Sequence, residues 1–260
     1  DQLVVLPQFP DRLGGRVFVL SREELEAHVD GGVRDEPLRP RPVPFVTAEV
    51  APAIEGFDGF EAIAFVGERV FVTVEAEGRP GAMGWLLSGR WEQDPERIVI
   101  DAARRAALPA QTRRENLAYE ALAASPSELL AFYEANGSGN AAPNAKRFGP
   151  ELDRRGDVPV GPLEYRVTDV TDIDAEGRMW ALNYWWPGAA EWKPGPCPLR
   201  ARFGLGETHA GSEVVERIVE LEWTDEGIVP SGRAPVQLRL RKDGRARNWE
   251  GIARLGGRGF

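Results

Sequence analysis

The plainest run of apolar positions in the chain is Arg69-Val70-Phe71-Val72-Thr73-Val74-Glu75. Its β-branched and aromatic content favours a strand. Just before it, Phe60-Glu61-Ala62-Ile63-Ala64 gives a shorter strand. Further on, Ala82 to Leu87 and Arg97 to Ile100 complete a four-stranded unit. Residues 115–135 read differently, being rich in Ala, Leu and Glu, a composition that favours helix. Pro126 interrupts that helix, and Tyr119-Glu120-Ala121-Leu122-Ala123 with Leu129-Leu130-Ala131-Phe132-Tyr133-Glu134-Ala135-Asn136-Gly137 aligns without a gap on residues 60–78 at an offset of 59. The alignment predicts strands here too. Ser21 to His28 has no such counterweight and predicts a short loop helix.

An internal repeat of this length points to a modular β architecture. Further copies are Trp249-Glu250-Gly251-Ile252-Ala253, leading to Arg258-Gly259-Phe260; Asp169-Val170-Thr171-Asp172-Ile173, leading with one inserted residue to Arg178-Met179-Trp180-Ala181-Leu182; and Gln8-Phe9, leading to Arg16-Val17-Phe18-Val19-Leu20. The anchors Gln8, Glu61, Glu120, Asp169 and Glu250 are spaced 53, 59, 49 and 81 residues apart. That is the scale of four-stranded antiparallel blades. We expect an all-β fold: one β-propeller domain over 1–260, five-bladed, with six blades the alternative. The blades fall near 6–55, 56–113, 114–167, 168–245 and 246–260, with residues 187–212 a large insertion. The last blade is either incomplete or closed by the N-terminal strand Gln2 to Leu6, which would protect sheet edges. The small residues Ala62, Ala64, Ala121, Ala123, Gly251 and Ala253 suit inner strands crowded near an axis, and Ile63, Leu122 and Ile252 fill the space between blades.

Composition narrows the picture. Hydrophobic residues make up 42% of the 260, enough for a sizeable core, and no apolar run is long enough to insert in a membrane. A net charge of −9 argues against a nucleic-acid partner. Cys197 is the only cysteine, so no intramolecular disulfide forms. The chain starts at Asp1 and shows no signal peptide, which leaves room for one already removed. Oligomeric state is not written in these residues.

Gly59-Phe60-Glu61-Ala62-Ile63-Ala64, Glu115-Asn116-Leu117 with Tyr119-Glu120-Ala121-Leu122, and Asn248-Trp249-Glu250-Gly251-Ile252-Ala253 carry a family resemblance. They resemble the short "EGxA" and "N-x-EG-[IL]-A" signatures of the bacterial esterase-like-activity-of-phytase family, a β-propeller group. The resemblance implies a propeller, export to a periplasmic or secreted location, and hydrolysis of phosphate or other esters. No catalytic motif of the family is present to be carried over residue by residue.

Candidate chemistry then rests on position. Glu61, Glu120, Asp169 and Glu250 occupy equivalent slots, with Gln8 in the fifth, and Glu75 and Glu134 form a second set. Equivalent slots in a ring converge, and carboxylates brought together must bind a cation, pair with Arg or hold protons. Calcium suits such oxygens, which makes Glu61, Glu120, Asp169 and Glu250 candidate metal ligands. The competing reading has each acid capping backbone N–H groups. Gln8, Glu75 and Glu134 are candidate ligand-binding groups beside them. Tyr184-Trp185-Trp186 ends a strand where loops reach a face, so exposed rings there could bind a flat ligand, or pack between blades. His209 reads as an exposed loop residue with a possible site role. With Lys193, Arg200 and Arg202 of the insertion it could grip an anionic substrate. Two function classes stay open: calcium-assisted hydrolysis of phosphate or other esters, and a non-catalytic ligand-binding or scaffold propeller.

Overall fold

The ungapped repeat becomes a repeated piece of backbone. The computed structural model describes residues 2–31, 37–77, 83–114, 117–188 and 192–256. Its N-terminal sheet contains β1 (Gln2–Val5), β2 (Arg16–Ser21) and β3 (Arg41–Val46). Between β2 and β3 lies α1 (Arg22–Asp30), the expected loop helix. Ser21 caps it: its Oγ accepts from Glu24 N at 3.2 Å, and Glu24 Oε2 accepts from Ser21 N at 2.8 Å, a reciprocal box that satisfies two end donors. A short turn of helix, α2 (Val50–Ala53), follows β3.

Three antiparallel meanders of four strands come next. The first is β4 (Phe57–Val66), β5 (Arg69–Ala76), β6 (Met83–Gln93) and β7 (Glu96–Leu108). The second is β8 (Ala121–Ala124), β9 (Leu129–Phe132), β10 (Asn144–Phe148) and β11 (Arg154–Pro159). The third is β12 (Arg166–Val170), β13 (Arg178–Trp185), β14 (Val215–Thr224) and β15 (Gly227–Pro230). In the long β13–β14 connection lies α3 (Pro198–Phe203), and β16 (Val236–Gln237) pairs with β14. The chain is all-β, its sheets curled, and the N-terminal sheet forms half of a barrel. Among the described residues no helix is long and apolar enough to cross a membrane.

Strand alternation explains the packing. Val70, Val72 and Val74 of β5 point to one face, into a core with Val17, Val43, Phe45 and Ile98. Phe71 points to the other, into a core with Leu117, Tyr119, Leu130 and Phe132. The first meander is therefore sandwiched between its neighbours, and strand β5 is buried on both faces. The first strands of the meanders lie side by side, with β8 touching both β4 and β12. Ile173 N donates to Ala124 O at 2.9 Å just past β12. Crowding there explains the alanines: Ala121 and Ala123 have no exposed surface, and Ala62 and Ala64 are buried.

Several expectations need correction. Strand β1 pairs with β2, and among the described residues no strand of the last blade lies beside Gln2 to Leu6. Strand β3 runs parallel to β7, Phe45 opposite Ile98 and Val46 opposite Val99, which merges the N-terminal sheet with the first meander into seven strands. Four-stranded units among the described residues thus number three. The copy at Trp249 to Ala253 forms no strand, and Gly251 and Ala253 are exposed where their counterparts are buried. Of the readings above, Gly78, Ala82, Glu115, Asn116, residues 189–191 and Arg258-Gly259-Phe260 lie outside the described residues.

Candidate functional site

Two register shifts aim the repeated acids. On β4 the pairing with β5 slips between Phe60 and Ile63, at Glu61, and Ala62 N turns to Thr73 Oγ1 at 3.0 Å. On β12 the pairing with β13 slips between Val167 and Asp169, next to the second acid. Bulges re-aim side chains in this way. Gly59, opposite Glu75 and held at φ +122°, lets the Gln8 loop approach: a Cβ there would stand 2.6 Å from Gln8 Cγ. Phe60 N then donates to Gln8 O at 2.9 Å, and Gln8 Nε2 to Glu61 Oε1 at 3.1 Å.

Around this pair the structure gathers Glu75, Glu120 and Glu134 with one guanidinium, Arg166 at the start of β12. Arg166 Nη2 lies 3.4 Å from Glu120 Oε1, and its Nε donates to Glu134 Oε2. Glu134 Oε1 also accepts from Ala118 N at 3.2 Å. Glu134 keeps 1% of its side-chain surface, Glu120 18% and Arg166 16%. Glu75 is 8% exposed and has no hydrogen-bond partner among the described residues.

The acids outnumber the base, and their proton affinities show it. Burial, then the Glu120 charge, pushes Glu61 up to about 8 against the pull of the Gln8 hydrogen bond. Burial, then Glu120 and Asp58, pushes Glu75 up to about 7. Burial also raises Glu120 and Glu134; Arg166 opposes the rise in both, and the charge of Glu120 adds to it at Glu134. Burial carries Asp169 up to about 8. Groups this close cannot all be ionised without a counter-charge.

Asp169 behaves as the capping reading expected. Its Oδ1 accepts from Val170 N at 2.8 Å and its Oδ2 from Ile252 N at 2.7 Å. Glu250 is exposed and takes a hydrogen bond from Asn248, though its charge still raises both Glu61 and Glu120. For calcium, the oxygens are of the right kind. Yet among the described residues no three His, Cys, Asp or Glu side chains are placed to hold one ion.

The other candidates lie elsewhere. Tyr184 and Trp185 are buried, and Trp185 packs on Trp192 at 5.1 Å between centroids. Only Trp186 of the three is exposed. His209 is not an exposed loop residue: it is 2% exposed, and its Nε2 lies 3.2 Å from Glu216 O and 3.3 Å from Glu216 N. Burial lowers its pKa and keeps the ring neutral.

Sequence reasoning missed Arg166, a basic residue opening a strand among repeated acids. It also missed Glu216, fully buried, whose carboxylate receives Arg247 N and Nε at 2.8 Å each, Arg247 Nη2 at 2.5 Å and Trp249 Nε1 at 2.9 Å. The Asn-Trp-Glu signature therefore has a structural use, since its Trp249 anchors the C-terminal segment to β14. The chain matches no protein family and no curated protein.

Proposed function

We propose that the chain is a propeller-type protein, with the three meanders as blades, that takes up a positively charged ligand at its inner carboxyl cluster. Three successive four-stranded meanders with adjoining first strands support the propeller. The observation that carries the binding reading is the clustering of Glu61, Glu75, Glu120 and Glu134, where among the described residues Arg166 is the guanidinium that holds Glu120 and Glu134 and whose charge reaches Glu75. A cation and a proton are alternative ways to neutralise that excess. Among the described residues Glu75 has no hydrogen-bond partner and Glu61 has only Gln8, so these carboxyls are the freest to turn toward an incoming cation. Calcium is the first candidate, and the side chains must close on it, because they are not arranged as a cage.

A second reading is hydrolysis of phosphate or other esters, in an exported protein, as the resemblance to the esterase-like phytase family implies. One feature favours it: Glu61, titrating near 8, can take or give a proton near neutral pH. Arg166, which holds the neighbouring Glu120, would meet an anionic oxygen of the substrate. A bound cation would supply charge neutralisation and polarise the ester.

Calcium titration at pH 8, read by melting temperature, tests the binding reading. A rise of several degrees at millimolar calcium is expected, and Glu61→Gln with Glu75→Gln should remove it. A melting temperature that answers to pH but to neither calcium nor an organic ammonium ion would overturn the proposal. Phosphomonoesters and carboxyl esters assayed with and without calcium test the hydrolytic reading, and turnover abolished by Glu61→Gln is the expected result.

A further inference from the structure

A second charged site lies between the first and second meanders, at the Arg69 end of β5, with Glu75 of the inner cluster near the other end of that strand. Arg69 of β5 and Arg90 of β6 are direct cross-strand partners, so their side chains leave the sheet on the same face. Like charges placed opposite one another destabilise a sheet unless something neutralises them. A third guanidinium arrives from a bulge in β7. There the register jumps from Leu87 opposite Arg105 to Ser88 opposite Asp101, which throws residues 102–104 out of the ladder and carries Arg104 toward the same place. Arg69, Arg90 and Arg104 line one cavity of about 240 Å³ together with Ser88.

Of the acids that also line it, Glu92 is ion-paired with Arg97 at 2.6 Å, and Asp101 holds a backbone N–H, its Oδ1 accepting from Ala103 N at 2.9 Å. Arg90 is exposed and has no ion pair among the described residues. Arg69 and Arg104 share one carboxylate, that of Glu151 on the β10–β11 loop. Arg69 Nη2 binds its Oε1, and Arg104 Nη2 binds its Oε2 at 2.9 Å. Two guanidiniums, one on each oxygen, form a receptor for a carboxylate, and their hydrogen bonds lower the proton affinity of Glu151. Glu151 itself is 60% exposed and leaves Arg90 unanswered.

We propose that this cleft binds a small polycarboxylate, such as a di- or tricarboxylic acid anion. One carboxylate takes the place of Glu151 between Arg69 and Arg104, and another meets Arg90 across the cavity. Glu151 acts as an internal occupant that yields to the ligand. The site does not depend on the inner carboxyl cluster, so each proposal can fail without the other.

Isothermal titration of the full chain with citrate, succinate and phosphate at low ionic strength tests it, because such contacts weaken with salt. Citrate is expected to bind, and more tightly than succinate. Arg90→Gln should weaken citrate at least about tenfold, the worth of one charge-assisted hydrogen bond. Glu151→Gln should tighten it about threefold by removing the competitor. Arg90→Gln should also leave the melting temperature of the free protein unchanged or raised, since it relieves the Arg69–Arg90 repulsion. No citrate binding, equal binding in Arg90→Gln, unchanged or weaker binding in Glu151→Gln, or phosphate binding tighter than citrate would each overturn the assignment.

Discussion

Two buried carboxylate centres in this molecule are built on opposite terms. Glu216, inside the third meander, has no exposed surface and meets four donors from Arg247 and Trp249, with the His209 ring closing over its backbone N–H. Of Glu61, Glu75, Glu120 and Glu134, only Glu120 and Glu134 are held by the Arg166 guanidinium among the described residues, and burial raises the proton affinity of all four. The first centre is complete in itself and fastens the C-terminal segment to β14. The second is short of positive charge, and a carboxyl group so placed must hold a proton or meet a partner from outside. Burial is common to both, so burial alone does not mark a functional acid. The balance of donors around it does.

The largest expected effect breaks the completed centre. Glu216→Ala leaves Arg247 and Trp249 Nε1 without their acceptor and should cost about 3–5 kcal/mol, the usual toll of removing one partner from a buried pair. Urea denaturation measures it, and the segment around residues 247–254 should lose hydrogen-exchange protection at the same time. A loss under about 1 kcal/mol would mean that Glu216 is not the anchor its contacts describe.

The second centre should answer to pH instead. Glu61 and Glu75 have an ordinary value of 4.5 and stand near 8 and 7 in the folded chain. Asp169 rises from 3.8 to about 8. Between the ordinary and the raised values the folded state holds more protons than the unfolded one, so stability falls as pH rises. Stability from these groups is full below about pH 4 and is lost progressively up to about pH 8. The loss should be on the order of 1–3 kcal/mol, less than the shifts alone imply, because Glu61 keeps contact with solvent. Melting temperatures at pH 5 and pH 8 check the direction. Glu61→Gln, which mimics the protonated acid, should flatten the slope and stabilise the protein at pH 8. A melting temperature that rose from pH 5 to pH 8 would contradict the reading of this cluster.

The contrast also shows what sequence could and could not disclose. The ungapped match of residues 119–137 to residues 60–78 overrode a helical composition, and β8 and β9 are strands. Repetition also pointed to Glu61 and Glu120 as neighbours, because equal positions in packed repeats share surroundings, and the Glu120 charge acts on Glu61. The parallel join of β3 to β7 left no trace, since a pairing between Phe45 and Ile98 has no local signature. Strand β14 carries Glu216, Arg217, Glu220 and Glu222 among apolar residues and reads as half solvated. Yet Glu216 and Glu220 are buried, because Arg247 and Trp249 cover one while Ser231 and Arg233 reach the other. His209 misled for the same reason: a histidine among glycines looks exposed until the strand that covers it is known. Arg166, the one base of the inner cluster, falls outside the repeated motif, and no periodicity pointed to it.

A smaller effect is expected at Asp169, which stands between the two kinds of centre. Its proton affinity is raised like that of the inner acids, but both its oxygens accept backbone N–H groups, one of them from Ile252. Asp169→Asn keeps one acceptor oxygen and loses the other, so about 1 kcal/mol of stability should go. Faster hydrogen exchange at Ile252 would be the specific sign. Unchanged exchange there would show that Asp169 does not hold the C-terminal segment.

The smallest expected effect isolates charge from contact. Glu250 is exposed and bonded only to Asn248 among the described residues, so Glu250→Gln should change stability by less than about 0.5 kcal/mol at pH 5. Its charge nevertheless adds to the rise of both Glu61 and Glu120. Removing that charge should lower the midpoint of the pH-dependent stability change by a few tenths of a pH unit, as expected for one exposed like charge acting through solvent. The shift should shrink in high salt, which screens an exposed charge more than a buried one. Midpoints for the two proteins, measured at low and high ionic strength, therefore report whether the C-terminal copy of the motif belongs electrically to the inner cluster. An identical midpoint at low salt would detach Glu250 from that cluster and leave its acid excess to Glu61, Glu75, Glu120 and Glu134 alone.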